Sequence, residues 1–322
     1  MRRREFIGLV GGAAALPLAA GAQRAVATIG YLSSTSRATT ALNPLRQAMS
    51  EFGYTEGRNL EIEFRFADNR YDRLPALADD LIRRRVQVIV VGGATVGVLA
   101  AMAATKTIPI VFSSGVDPVQ LGLVASLSRP GGNVTGVVSL SQELLAKRLE
   151  MLRELHPSAS AIGLLVNPNN PNTQPTVSEM QALANAGGWL LHVVTASNEG
   201  ELDAAIAKLI QLKAGAFLFA GDALFANQLE IVAVAARHRI PTIYTQREQV
   251  EAGGLMSYGS DREEIQRVVA DYTVRILKGA KPSELPVQQA TKVELVINMR
   301  TAKSLGLTFP TALLVRADEV IE

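Results

Sequence analysis

Apolar and polar positions fall in blocks along this chain, and one arrangement of blocks occurs twice. In the first copy, apolar residues run from Val88 to Val91 and end at Gly92 and Gly93. A stretch of small residues with helical character follows over 94–106, and then Ile108, Pro109, Ile110, Val111 and Phe112. In the second copy, Ala216 to Ala220 ends at Gly221. A helical stretch covers 223–239, and Ile240, Pro241, Thr242, Ile243 and Tyr244 close the unit. Short apolar runs bounded by glycine are strands buried on both faces. Strand, glycine loop, helix and strand in that order are the units of a parallel α/β sheet. One copy in each half predicts an α/β protein of two doubly wound Rossmann-like lobes. Ligands of such sheets bind at the loops after the carboxyl ends of the strands, so the expected site is a cleft where the loops of the two lobes face each other.

The remaining pattern fills in around these units. Residues 27–32 read as a first strand, 43–52 as a helix with Leu45, Met49 and Phe52 on one face, and 59–66 as a half-exposed strand of alternating Leu60, Ile62, Phe64 and Phe66. Residues 71–85 read as an amphipathic helix, 117–127 as a short helix opened by Asp117 and Pro118, and 134–139 as a strand. A periodic helix over 143–155, carrying Leu144, Leu145, Leu149, Leu152 and Leu155, comes before the second half opens. A strand over 162–167, a helix, a strand over 190–194 and a helix over 201–212 come next. Beyond the second unit the expected elements are strands over 254–259 and 293–298, and helices over 261–277 and 301–305.

The first 22 residues do not fit this scheme. Arg2, Arg3 and Arg4 precede a short apolar run that ends in Ala20, Gly21 and Ala22. A basic start, a short apolar centre and a small-residue cleavage pattern are the marks of an export signal. Arg3 and Arg4 followed by Phe6 and Ile7 resemble the twin-arginine type. No cysteine follows the apolar run, which argues against a lipid anchor, and the expected location is periplasmic, as an exported soluble protein. Removing residues 1–22 takes three Arg and one Glu from totals of 32 basic and 30 acidic, leaving 29 of each. A chain with no net charge offers nucleic acid no electrostatic footing. The absence of Cys excludes disulfides, thiolate metal sites and cysteine nucleophiles.

The candidate site is the set of cleft loops. In the first lobe these hold Ser33, Ser34 and Thr35, then Gly93, Ala94 and Thr95, then Ser113, Ser114, Gly115 and Asp117. In the second lobe they hold Asn167 and Asn169, Asp222, and Thr245. Hydroxyls and free amides at helix starts suit a carboxylate, and the glycines let the backbone come close to a ligand. Asp222 is placed either to pair with a ligand ammonium or to cap the next helix. Asn167 and Asn169 are either ligand groups or turn formers. The three histidines, His156, His192 and His238, sit beside no visible nucleophile or metal ligand, and no phosphate loop or dinucleotide fingerprint is present. The chain therefore reads as a binding protein without cofactor or metal rather than an enzyme. A ligand-sensing receptor component is the alternative, and an exported enzyme the more distant one.

Several segments together resemble the ABC-transporter substrate-binding proteins of the tryptophan/tyrosine-type group, which have the type I periplasmic-binding fold. They are 117–122 (DPVQLG), 129–136 (RPGGNVTG), 166–168 (VNP), 253–259 (GGLMSYG), 277–282 (LKGAKP), 301–307 (TAKSLGL) and 316–322 (RADEVIE). The resemblance covers nearly the whole chain after the signal. It implies a monomer of two lobes joined by crossing segments, with an amino acid or other small organic solute enclosed between them and passed to a membrane permease. It further implies that an acidic residue at the position of Asp222 takes a ligand ammonium. The first loop, Ser33 to Ser36, departs from the His-Pro loop of the aromatic-amino-acid binders. The aromatic ligand is thus not carried over with the family. The expected division is 1–22 as signal, 23–138 with 259–286 as lobe one, and 139–258 with 287–322 as lobe two.

Overall fold

The structure, a computed structural model, describes residues 26–37, 42–139, 143–226 and 229–322. The expected export signal over 1–22 lies outside the described residues. Thirteen strands form two sheets among these residues. The first half supplies β1 (Ala27–Ser33), β2 (Leu60–Phe66), β3 (Val88–Gly92), β4 (Ile110–Ser114) and β5 (Val134–Val138). The second supplies β6 (Ala161–Val166), β7 (Leu190–Thr195), β8 (Ala216–Phe219), β9 (Thr242–Tyr244) and β10 (Met256–Ser260). The last three are β11 (Gln288–Gln289), β12 (Val293–Asn298) and β13 (Glu319–Ile321). The first sheet has the order β11-β5-β4-β3-β1-β2 and is parallel throughout. The second runs β13-β12-β10-β9-β8-β6-β7, parallel except where β12 lies antiparallel to β10.

The repeated units are the middles of these sheets. Val88, Ile89, Val90 and Val91 of β3 are buried, as are Ala216, Phe217, Leu218 and Phe219 of β8. Helices cover both faces, which is why these strands are apolar without alternation. In the first half, β1 and β3 pack on one side against the helices Asn43–Glu51 and Arg262–Leu277, through Leu45, Met49, Val269, Tyr272 and Val274. On the other side they meet the helices Leu74–Arg83 and Thr95–Ala104, through Leu74, Leu81 and Val98. The second half is built likewise, with the helices Glu143–Leu155 and Thr173–Gly187 on one face and Leu202–Gln211 and Leu229–Arg237 on the other. No helix among the described residues is long and apolar enough to cross a membrane.

Some expectations need correction. Residues 117–127 form turns, not a helix: Asp117 Oδ1 accepts from the amides of Val119 and Gln120, and the chain turns again at Gly122, whose φ is 66°. In the second unit, helix is described over Ala223–Ala226 and Leu229–Arg237, residues 227 and 228 lying outside the described residues, and it ends at Arg237, two residues short of the expected 239, where Arg239 takes left-handed backbone with φ 56°. The crossings between sheets fall later than expected. Gly259 and Ser260 pair with Glu294 and Val293 in the second sheet, not the first. Gln288 and Gln289 pair with Val137 and Val138 in the first sheet, not the second. A two-residue edge strand has too few residues to show a pattern, so β11 leaves no signal in the sequence.

A polar cavity between the two sheets

The carboxyl ends of the two sheets face each other across a cavity of about 200 Å³. Most of the expected residues line it. From the first half come Ser33, Thr35, Gly93, Ala94, Thr95, Ser113, Ser114 and Gly115, and from the second Asp222 and Thr245. The hydroxyls are paired along the wall, Ser33 Oγ with Thr35 Oγ1 at 2.8 Å and Thr95 Oγ1 with Ser114 Oγ at 3.2 Å. Gly93 has φ 90°, and a Cβ there would lie 2.3 Å from Ser34 Oγ, so this turn needs glycine. It delivers the chain to the helix Thr95–Ala104, whose start is capped by no side chain and opens beside the cavity. Uncapped amides at a helix start favour an anion.

Four of the expected residues stand elsewhere. Ser34 is fully buried behind the wall, where its Oγ accepts from the Ala94 amide at 2.8 Å. Asp117 is occupied by its own turn and lines none of the cavity. Asn169 is exposed, with its amide on Asn167 Oδ1 at 3.0 Å, so it is a turn former. Asn167 lies behind Asp222 and donates to its Oδ1 at 3.2 Å. The same loop reaches the cavity through Asn170 and Asn172.

Asp222 is the buried carboxylate of the wall, 8% exposed. Its Oδ1 accepts from the Leu224 amide at 2.8 Å and its Oδ2 from Asn170 Nδ2 at 2.6 Å. Tyr71 Oη donates to both oxygens, at 3.2 and 3.3 Å. These donors and Asn167 are all neutral. Asp222 thus caps the helix Ala223–Ala226 and accepts from no cationic side chain, so the two readings of this residue are compatible. Burial lifts its carboxyl above the ordinary aspartate value of 3.8, against the pull of its hydrogen-bond donors. A carboxyl raised in the fold holds its proton more tightly there than in the unfolded chain. Its contribution to stability is therefore complete below 3.8 and is lost as pH rises through the raised value. We expect the stability of the wild type relative to Asp222→Asn, measured without ligand, to fall as pH rises through that window. Parallel melting profiles for the two proteins would contradict this.

Two arginines in the wall were not expected. Arg148 of the helix Glu143–Leu155 is 1% exposed, and its Nε donates to the Tyr258 carbonyl at 2.6 Å. Burial lowers its guanidinium to about 10, which leaves it charged at neutral pH. Arg262, the first residue of the helix Arg262–Leu277, reaches from the first half to the second. Its Nε is 3.3 Å from Gln246 Oε1 and 3.4 Å from Glu248 Oε1. Neither was singled out from the sequence, although Arg148 falls four residues after Leu144 and four before Leu152, on the apolar face of its helix, and that spacing is the signal that marks it as buried.

A family model for ABC transporter substrate binding proteins matches residues 25–321. The chain is 29% identical over 262 residues to the tyrosine-binding protein of Clostridioides difficile (strain R20291), covering 81% of this chain and 75% of that protein. A conserved domain protein from Vibrio cholerae superposes with a TM-score of 0.81 at 30% identity, over 92% of this chain and 99% of the other. The ABC domain in complex with L-Trp from Streptococcus pneumonia gives 0.78 at 26% identity, over 92% and 99%. The ligand-free, open structure of a substrate binding protein from Clostridium difficile gives 0.61 at the same identity and coverage. Two α/β sheets facing each other across a cavity, the expected segments and a match over nearly the full length agree: the chain belongs to the ABC transporter substrate-binding protein family.

Proposed function

We propose that this protein captures one amino acid between two lobes after export to the periplasm and delivers it, chemically unchanged, to an ABC permease. The observation that carries the reading is Asp222, a buried carboxylate on the cavity wall whose donors are all neutral. A desolvated charge of this kind is stabilised by a cation that arrives with the ligand. The same wall holds the uncapped start of the helix Thr95–Ala104 and the guanidinium of Arg148, which suit a carboxylate. Opposite charges on one small ligand describe an amino acid. The L-Trp complex and the tyrosine-binding relative support the class of ligand.

The lobes in this reading are the two sheets with their helices, hinged where the chain crosses after β5, between β10 and the helix Arg262–Leu277, and between β11 and β12. Ligand meets one lobe, the other swings over it, and water is excluded. Affinity is reduced by whatever it costs to populate the closed form. The closed form is what the permease engages. Calorimetry with a panel of amino acids and simple carboxylates, followed by mass analysis of the recovered ligand, tests this. One unaltered amino acid per chain is expected. Recovery of a converted product would overturn the binding-only reading, and binding of carboxylates alone would overturn the amino-acid one.

A further inference from the structure

We propose that Tyr71 is a positioning residue for ligand capture: coming from the first half, its hydroxyl completes the donor set of Asp222 when the halves meet, and so couples closure to the pairing of that carboxylate with a ligand ammonium. The inference rests on the amino-acid reading given above.

Tyr71 lines none of the cavity. Its hydroxyl donates to both oxygens of Asp222, at 3.2 and 3.3 Å, and accepts from Asn167 Nδ2 at 3.1 Å. The other donors to Asp222 are the Leu224 amide, Asn167 and Asn170, all from the second half. Among the described residues, Tyr71 is therefore the donor that only the first half brings. Burial, with Asp222 beside it, pushes its phenol well above the usual range, so it stays a donor at any working pH.

The segment that carries Tyr71 is fixed to the ligand-facing loop of its own half. The Asn69 amide donates to the Ser34 carbonyl at 2.8 Å, and the Asp68 amide to the Thr35 carbonyl at 3.2 Å. Asp68 and Asn69 both take left-handed backbone, with φ of 53° and 59°. Asp and Asn take this region more readily than other residues with a side chain. This backbone turns the chain sharply after β2 and aims the next residues across the gap. Asn69 crosses the same gap, with its Nδ2 on Glu199 Oε1 at 3.1 Å. The arm of residues 67–71 thus reports the position of the first half directly to the carboxylate of the second. A carboxylate buried with neutral donors alone resists closure. One that also meets an ammonium does not, and the Tyr71 bond then adds to the closed form.

The test uses the twenty standard L-amino acids as probes on the full mature chain, wild type and Tyr71→Phe. Phenylalanine keeps the ring and removes the hydroxyl. The expected result is that every amino acid bound by the wild type is bound about tenfold more weakly by the variant. The rank order should be kept, and the loss should lie in faster dissociation. Because the chain has no Cys, spin labels at Asp79→Cys and Lys208→Cys, both exposed, can report the distance between the halves. At saturating amino acid, Tyr71→Phe should move that distribution toward longer distances. Unchanged affinity in a variant whose wild type binds would overturn the inference alone. A changed rank order would place Tyr71 in contact with the ligand and overturn it as well, as would an unchanged distance distribution. If the wild type binds none of the probes, the amino-acid reading falls and the inference falls with it.

Discussion

Asp222→Ala should weaken the binding of an amino acid by about 2–5 kcal/mol, the range for removing one partner of a desolvated charge pair. The alanine variant alone would be ambiguous, because Asp222 also accepts from the Leu224 amide at 2.8 Å and so holds the start of the helix Ala223–Ala226. Asp222→Asn separates the two roles. Asparagine caps a helix about as well as aspartate and keeps the shape of the side chain, but it carries no charge. If the charge matters, Asp222→Asn should lose most of what Asp222→Ala loses, with the fold intact by circular dichroism. Calorimetry on the two variants decides the matter. An asparagine variant with wild-type affinity would remove Asp222 from the ligand and leave it as a cap.

Gly259→Ala should lower stability by about 3 kcal/mol, near the upper end for forcing an extra methyl into a packed interior. Gly259 lies near the end of β10, just before the chain crosses to the first half. A Cβ there would stand 2.0 Å from the Thr245 carbonyl oxygen, and backbone cannot move aside as a flexible side chain can. The substitution would push β10 away from the loop that carries Thr245, which lines the cavity, so ligand affinity should fall together with stability. Urea unfolding measures the first effect. A loss below about 1 kcal/mol would mean that the two segments separate with little resistance.

What the sequence made legible divides along physical lines. The central strands β3, β4, β8 and β9 are apolar because helices cover both their faces, and that burial writes a continuous pattern. The glycine loops after them were equally plain, since Gly93 answers a backbone requirement that other residues meet poorly. Asp222 stood out as a charge directly after a buried strand. Arg148 did not. It lies inside the apolar arc set by Leu144, Leu145, Leu149 and Leu152, so the spacing marks a buried position, and the charge of the side chain is what hid a residue only 1% exposed. Tyr71 was equally hidden, because its partner lies in the other half of the chain and local spacing holds no record of contacts between halves. In the loop after β6, the pattern pointed to Asn167 and Asn169 as much as to Asn170 and Asn172. Which amide faces the cavity depends on the hydrogen bonds of the turn, and four asparagines in six positions look alike in sequence.

The interleaving of the chain between the sheets sets the order in which the protein can be completed. The core of the first half includes Val269, Ala270, Tyr272, Val274, Ile276, Leu285 and Ala290. Its edge strand β11 is the pair Gln288–Gln289. All of these are synthesised after the whole of β6 to β10. A nascent chain that has emerged only through β5 therefore holds a sheet with one edge uncovered and one face covered by the helix Asn43–Glu51 alone, and the rest of that face awaits residues still to be made. Uncovered apolar faces and strand edges are what aggregation and chaperones both recognise. A fragment ending at residue 139 should not fold by itself, and β6 to β10 must be translated before the first half can close. The two lobes are separate as bodies but not as folding units: each depends on the other's stretch of chain having already been delivered.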